Sequence, residues 1–140
     1  MVECELDKLD HMILKHLREN SRIPNTKIAD FLGISESTVR NRIEKMVNSG
    51  IIKRFTIETS EEEVKAIVLI EVSVATPAPQ IAEKISNMSS VEVVFETAGQ
   101  YDISAVISEH DIPSLNRIID EMRNLKGVTN TNSLIVLKTW

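Results

Sequence analysis

"LGISESTVRNRIEKMVNSG" occupies residues 32–50 of a 140-residue chain whose formal net charge is −5. It sets a Gly turn and a Ser cap ahead of a helix that carries Arg40, Arg42 and Lys45. Ser35 has the hydroxyl that an N-cap needs, and Val39, Ile43, Met46 and Val47 recur at helical spacing as a buried stripe, with Gly50 closing the helix. Upstream, Pro24 opens a second helix with Ile28, Ala29 and Leu32 inward, and Gly33 ends it in the left-handed region. Before that, Asp7 caps a first helix on Leu9, Met12, Ile13 and Leu17. Only "GIS" joins the last two helices. A joint that short, built on Gly, is a helix-turn-helix.

Turning the third helix by about 100° per residue places Ser37, Thr38, Asn41, Lys45 and Asn48 opposite the apolar stripe, with Arg40 and Arg42 on its flanks. Hydroxyl, amide and guanidinium groups are the ones that read base edges and clamp phosphates in a major groove. Few acids interrupt this face: Glu36 sits at the helix start, where the dipole favours it, and Glu44 is the other. The following "IIKRFTI" alternates like a short strand, which makes Lys53 and Arg54 a basic wing. A tri-helical bundle with a wet basic face need not bind anything, so the spacing alone leaves that alternative standing.

Charge is divided along the chain. Residues 1–57 hold 10 Lys and Arg against 8 Asp and Glu, whereas residues 58–140 hold 6 against 13. A local basic face can bind phosphates on an acidic chain, because charges beyond about 8 Å are screened at physiological salt. The single cysteine, Cys4, excludes an intramolecular disulfide framework and fits a reducing compartment. The acidic start "MVECELDKLD" is not that of a secretory signal, and the longest apolar run, "AIVLI" at 66–70, stops at Glu71. The expectation is a cytoplasmic protein with no membrane partner.

The remainder reads as strand–helix–strand used twice. "KAIVLIEVSVA" (65–75) is a strand with Val68, Ile70, Val72 and Val74 on one face, and Pro77 and Pro79 begin a helix on Ile81, Ile85 and Met88. "VEVVFETA" (91–98) and "YDISAVIS" (101–108) are strands. Asp111 caps a helix on Ile112, Leu115, Ile118, Ile119, Met122 and Leu125, Gly127 ends it, and "NSLIVLK" (132–138) is the last strand. The order βαββαβ predicts a ferredoxin-like antiparallel sheet with both helices on one face. The fold class is therefore α+β. A winged helix-turn-helix spans 1–57, a linker 58–63, and a ferredoxin-like domain 64–140, whose ligand-binding role is an implication of the family resemblance given below. The uncovered sheet face leaves Val and Ile exposed, which points to sheet-to-sheet dimerisation.

"LDKLDHMILKHLRENSRIPNTKIADFLGISESTVRNRIEKMVNSGIIKRF" resembles the N-terminal half of the Lrp/AsnC family, the leucine-responsive or feast/famine regulators. The likeness runs almost continuously over residues 6–55, through "LDxxD…IL", "LG-IS-ES-TV" and "R-I…G-II". It implies a dimer that reads palindromic double-stranded promoter DNA through the third helix, and that assembles further, often to octamers. Ser35, Ser37, Thr38, Arg40, Asn41, Arg42, Lys45, Lys53 and Arg54 are the candidate DNA-binding residues. The linker "IETSEEEVK" is shorter and more acidic than the family's, which bears on how the halves are oriented.

"ETAGQYDIS" (96–104) resembles the family's glycine loop, and "TNTNSLIVL" its last strand with paired hydroxyls, the places where the family binds an amino-acid effector between dimers. A zwitterion needs an anion for its ammonium and donors for its carboxylate. Asp102 suits the first role. The Gly99 and Gln100 amides, Thr131 and Ser133 suit the second, with Tyr101 in the same loop and Glu96 a weaker candidate. Equally, Gly99 can simply turn a hairpin while Asp102 hydrogen-bonds backbone. An enzyme reading finds no nucleophile motif, phosphate loop or Cys/His cluster, and His11, His16 and His110 lack metal-ligand spacing. No metal or cofactor is expected beyond the amino-acid effector, and Trp140 reads as a packing residue. The rival role is an architectural DNA-organising protein with no effector.

Overall fold

The structure, a computed structural model, describes residues 5–59 and 62–140. Cys4, and Ser60 and Glu61 of the expected linker, lie outside the described residues. The chain divides into two compact units, Met1–Thr59 and Ser60–Trp140.

The first unit holds α1 (Lys8–Glu19), α2 (Asn25–Leu32) and α3 (Glu36–Asn48). Asp7 and Asp10 form a reciprocal capping box at the start of α1. The Asp10 amide donates to Asp7 at 2.9 Å and the Asp7 amide to Asp10 at 3.0 Å. Pro24 precedes α2, and Gly33 follows it at φ 66°, a left-handed position that suits glycine. Ser35 caps α3 by accepting from the Thr38 amide at 3.2 Å. Ile13, Ile28, Ala29, Val39 and Met46 are buried at the centre, ringed by Leu14, Leu17, Ile34 and Ile43 among others. Burying each large apolar side chain contributes about 1.5–3 kcal/mol, which is what holds three short helices together.

Three expectations fail here. Met12, expected on the inward stripe of α1, is exposed, and Leu14 packs on the core instead. Val47 is 42% exposed, because the core contacts the face centred on Val39 and Met46 and Val47 lies past its edge. The strand expected over 51–57 has no ladder among the described residues. Ile51 and Ile52 pack on the core, and the Ile52 amide donates to the Met46 carbonyl at 3.0 Å. Phe55 and Ile57 are exposed. Alternation sets which way side chains point, but a strand also needs an edge to pair with, and the described residues of this unit offer none.

The second unit contains β1 (Val64–Val72), α4 (Ala78–Ser86), β2 (Val91–Glu96), β3 (Ile103–Glu109), α5 (Ile112–Arg123) and β4 (Val128–Ile135). The four strands form one antiparallel sheet in the order β2-β3-β1-β4, the ferredoxin-like arrangement. One face carries the core: Ala66, Val68 and Ile70 of β1 and Ile103, Ala105 and Ile107 of β3 pack with Ile81, Ile85, Leu115, Ile119 and Met122. The opposite face carries Ile67 in register with Val106 and with Leu134, and Val93 beside Val106. No helix covers these residues, and Phe95 and Leu134 are 52% and 47% exposed.

Several boundaries shift from the sequence reading. β1 ends at Val72, so Val74 is exposed rather than inward, and Ile112 in the first turn of α5 also faces solvent. β4 begins four residues earlier and ends three residues earlier than the apolar "NSLIVLK" suggests, because pairing with β1 fixes it: Val72 meets Val128 and Ala66 meets Ile135. Polar "TNTN" is thus strand, while Leu137 and Trp140 stand in solvent, Trp140 with the Lys138 ammonium 3.7 Å over its ring.

Candidate DNA-reading helix and ligand-binding face

At the N-terminus of α3 the hydroxyls are partly spent on one another. Ser35 Oγ lies 2.7 Å from Thr38 Oγ1 and 3.0 Å from Ser37 Oγ. Ser35 and Thr38 therefore shape the first turn, whereas Ser37, Asn41 and Lys45 form an exposed row along the helix. Arg40 is exposed too, with Glu36 one turn back at 3.5 Å. An exposed ion pair of that length is weak and yields easily to a phosphate. Lys53 and Arg54 are exposed on the segment after α3.

Arg42 is placed differently from the expected phosphate contact. Its Nη1 donates to Asp7 Oδ2 at 2.7 Å and to Asp10 Oδ1 at 2.8 Å, across the first turn of α1. A helical wheel gave its flank but could not show that two carboxylates wait there. Asp10 in turn holds the Arg42 guanidinium above its ordinary pKa, with Asp7 adding to the effect. The Asp7 carboxyl lies below the usual range, first because it accepts the Asp10 amide and then because of Arg42.

A groove of about 810 Å³ opens in this unit between α1 and residues 51–58, lined by Leu14, Leu17, Ile51 and Phe55 with Arg18 and Arg54, and no α3 residue lines it. His16 stacks on Phe31 at 5.1 Å between ring centroids. Among the described residues no group of three or more His, Cys, Asp or Glu is placed to hold a metal. No helix among them is long and apolar enough to cross a membrane.

In the second unit, Gly99 and Gln100 sit at an exposed loop tip before β3. Asp102 is half-buried and accepts from the Val72 amide at 2.8 Å, so one of its oxygens serves the backbone. Thr131 and Ser133 do not face this loop. They are in register with buried Ile70 and Val68 and so point to the helix side of the sheet. There Thr131 Oγ1 accepts from Arg123 at 3.3 Å, and Ser133 Oγ is shut in with no hydrogen-bond partner. The residue that meets the loop is Asn132, whose amide reaches the Tyr101 hydroxyl at 3.5 Å on the open face. Sequence reasoning missed it because a polar strand lacks the apolar alternation that would phase its two faces. Glu96 is exposed at the end of β2.

The family model described as winged helix-turn-helix DNA-binding matches residues 6–53, over the α3 row just described. The model described as Lrp/AsnC ligand binding domain matches residues 65–140, more than half of the chain. The chain belongs to the Lrp/AsnC family. It is similar to the HTH-type transcriptional regulator LysM of Saccharolobus solfataricus, at 47% identity over 100% of this chain and 99% of that one. The Lrp/AsnC fold also aligns with the crystal structure of PH0061 at a TM-score of 0.87 and 29% identity, covering 97% of this chain and 95% of that one. The regulator NMB0573 from Neisseria meningitidis, solved in complex with L-Met, shares the fold at a TM-score of 0.77 and 24% identity, over 96% and 91% of the two chains. This Lrp/AsnC protein is a transcriptional regulator with a DNA-binding and a ligand-binding domain, and not an enzyme.

Proposed function

We propose that this regulator binds promoter DNA sequence-specifically as a dimer, with α3 in the major groove, and that a free amino acid bound to its second unit changes that binding. The observation that carries the DNA half is the exposed row Ser37, Asn41 and Lys45 on a capped, core-anchored helix, flanked by Arg40. Asn can pair bidentately with adenine, and Lys and Ser can reach base edges or phosphates. Lys53 and Arg54 add backbone contacts from the wing position. Dimerisation rests on the uncovered apolar face of the sheet at Ile67, Val93, Phe95, Val106 and Leu134.

The effector reading rests on the ligand-binding family model, and its amino-acid class on the L-Met-bound neighbour. We place the ligand at the loop of Gly99, Gln100, Tyr101 and Asp102, with Asn132 in place of Thr131 and Ser133. The second Asp102 oxygen takes the ammonium, and the loop amides and Tyr101 hydroxyl take the carboxylate. Assembly of dimers into an octamer would complete such a site between copies.

Calorimetry of the full chain against the twenty amino acids tests the sensor. Binding of one, weakened roughly ten- to a hundredfold by Asp102→Asn, supports it, because a hydrogen bond to a charged group contributes about 1.5–3 kcal/mol. Binding of none removes the sensor and leaves the architectural reading for the DNA half.

A further inference from the structure

The geometry points to Asp7 and Asp10 as positioning residues for DNA recognition: through Arg42 they fix the register and roll of α3, and Arg42 itself makes no phosphate contact. This inference rests on the reading of α3 as the groove-entering helix. All four carboxylate oxygens of the pair are engaged. One oxygen of each acid closes the capping box on a backbone amide, and the other receives the same Arg42 nitrogen, at 2.7 and 2.8 Å. The partners lie 35 and 32 residues apart, so the contact ties the first turn of α1 to the middle of α3.

Asp10 is only 7% exposed, the one buried charged residue among those described. Two carboxylates sharing one nitrogen repel each other unless a cation sits between them, so Arg42 cannot leave for DNA without stranding that charge. Asn41 is the residue before Arg42, and Lys45 lies three further on, so a small rotation of α3 moves both reading groups. The apolar contacts at Val39 and Met46 set which face of α3 turns to the core. The ion pair adds a directional tie on its flank, from Arg42 to the start of α1.

Electrostatics gives the test its sign. If Arg42 touched phosphate, neutralising Asp10 would release it and tighten binding to any DNA. If Asp10 positions α3, neutralising it weakens specific binding although a negative charge has been removed. The full chain is used to select a duplex from a random pool, and affinity for that duplex and for a random duplex of equal length is measured against salt. Asp10→Asn and Arg42→Gln are each expected to lower the selected-to-random ratio roughly tenfold, with binding to the random duplex and its salt slope unchanged.

Arg42→Lys should keep the ratio, because one ammonium can bridge both acids as the single Nη1 does. Should Asp10→Asn fail to fold, the contrast between Arg42→Lys and Arg42→Gln decides alone. A tighter or unchanged Asp10→Asn complex overturns the inference, and so does a slope that flattens by about 0.9 on losing Arg42. Asn41→Ala separates the two readings. If it relaxes base preference while the clamp variants do nothing, the clamp is wrong and the recognition helix stands. If Asn41→Ala also does nothing, the reading of α3 falls.

Discussion

Asp102 accepts a hydrogen bond from the backbone amide of Val72 at 2.8 Å, where the register between β1 and β4 slips between Glu71 and Val72. A slipped register takes an amide out of the ladder, and the carboxylate satisfies it. Asp102→Ala leaves that amide unpaired and should cost about 1–3 kcal/mol of stability. Asp102→Asn keeps an acceptor and should cost clearly less. Urea unfolding of both variants checks this, and equal losses would mean that the contact does not stabilise the sheet.

Gly127 precedes β4 at φ 105°, and a Cβ there would lie 2.7 Å from Thr76 Cγ2. Backbone strain and overlap combine, so Gly127→Ala should destabilise by about 1–3 kcal/mol or more. Thr76→Ala in the same chain should recover part of the loss, because two of the three crowding atoms go. Gly99→Ala is the contrast: its φ of 142° is also strained, but no neighbour lies within 4 Å. It should melt above Gly127→Ala in a thermal scan.

Acid should release the Asp7 contact. The Asp7 carboxyl is lowered in the folded chain, first by the Asp10 amide and then by Arg42. A group of that kind stabilises fully above its unfolded value, about 3.9, and loses its contribution as pH falls through the folded value. Asp7→Asn retains a capping oxygen but loses the charge. It should therefore melt below the wild type at neutral pH, with the difference closing below about pH 4. A difference that stays constant to pH 3 would assign the effect to something other than this charge.

The open sheet face should govern assembly. Replacing Phe95 or Leu134 by Glu puts a charge on the exposed apolar face, at one of its two edge strands, while leaving the helix-side core untouched. Sedimentation should then show a monomer with unchanged helix content. A dimer that survives both substitutions would move the interface elsewhere.

The sequence was most legible where one residue decides a local geometry. Asp7, Ser35 and Asp111 cap their helices as read, since a side-chain acceptor placed before an apolar stripe needs no distant information. Partners far along the chain were not legible. Arg42 was placed on the right flank of α3, yet its two acids lie on another helix. Asp7 and Asp10 at i and i+3 in the first turn were the signal that could have raised the question. β4 was misplaced because its position follows from pairing with β1 rather than from its own apolar content, and the face that Thr131 and Ser133 take follows from that same pairing. Among the described residues, 51–57 finds no edge to pair with as a strand.

The central claim is that α3 reads sequence as one half of a two-fold pair, and footprinting the full chain on a selected duplex tests it most directly. Two protected half-sites on one face of the DNA, about 34 Å apart or a multiple of that spacing, are predicted. Selection that enriches no motif, with uniform protection along the duplex, would contradict the claim.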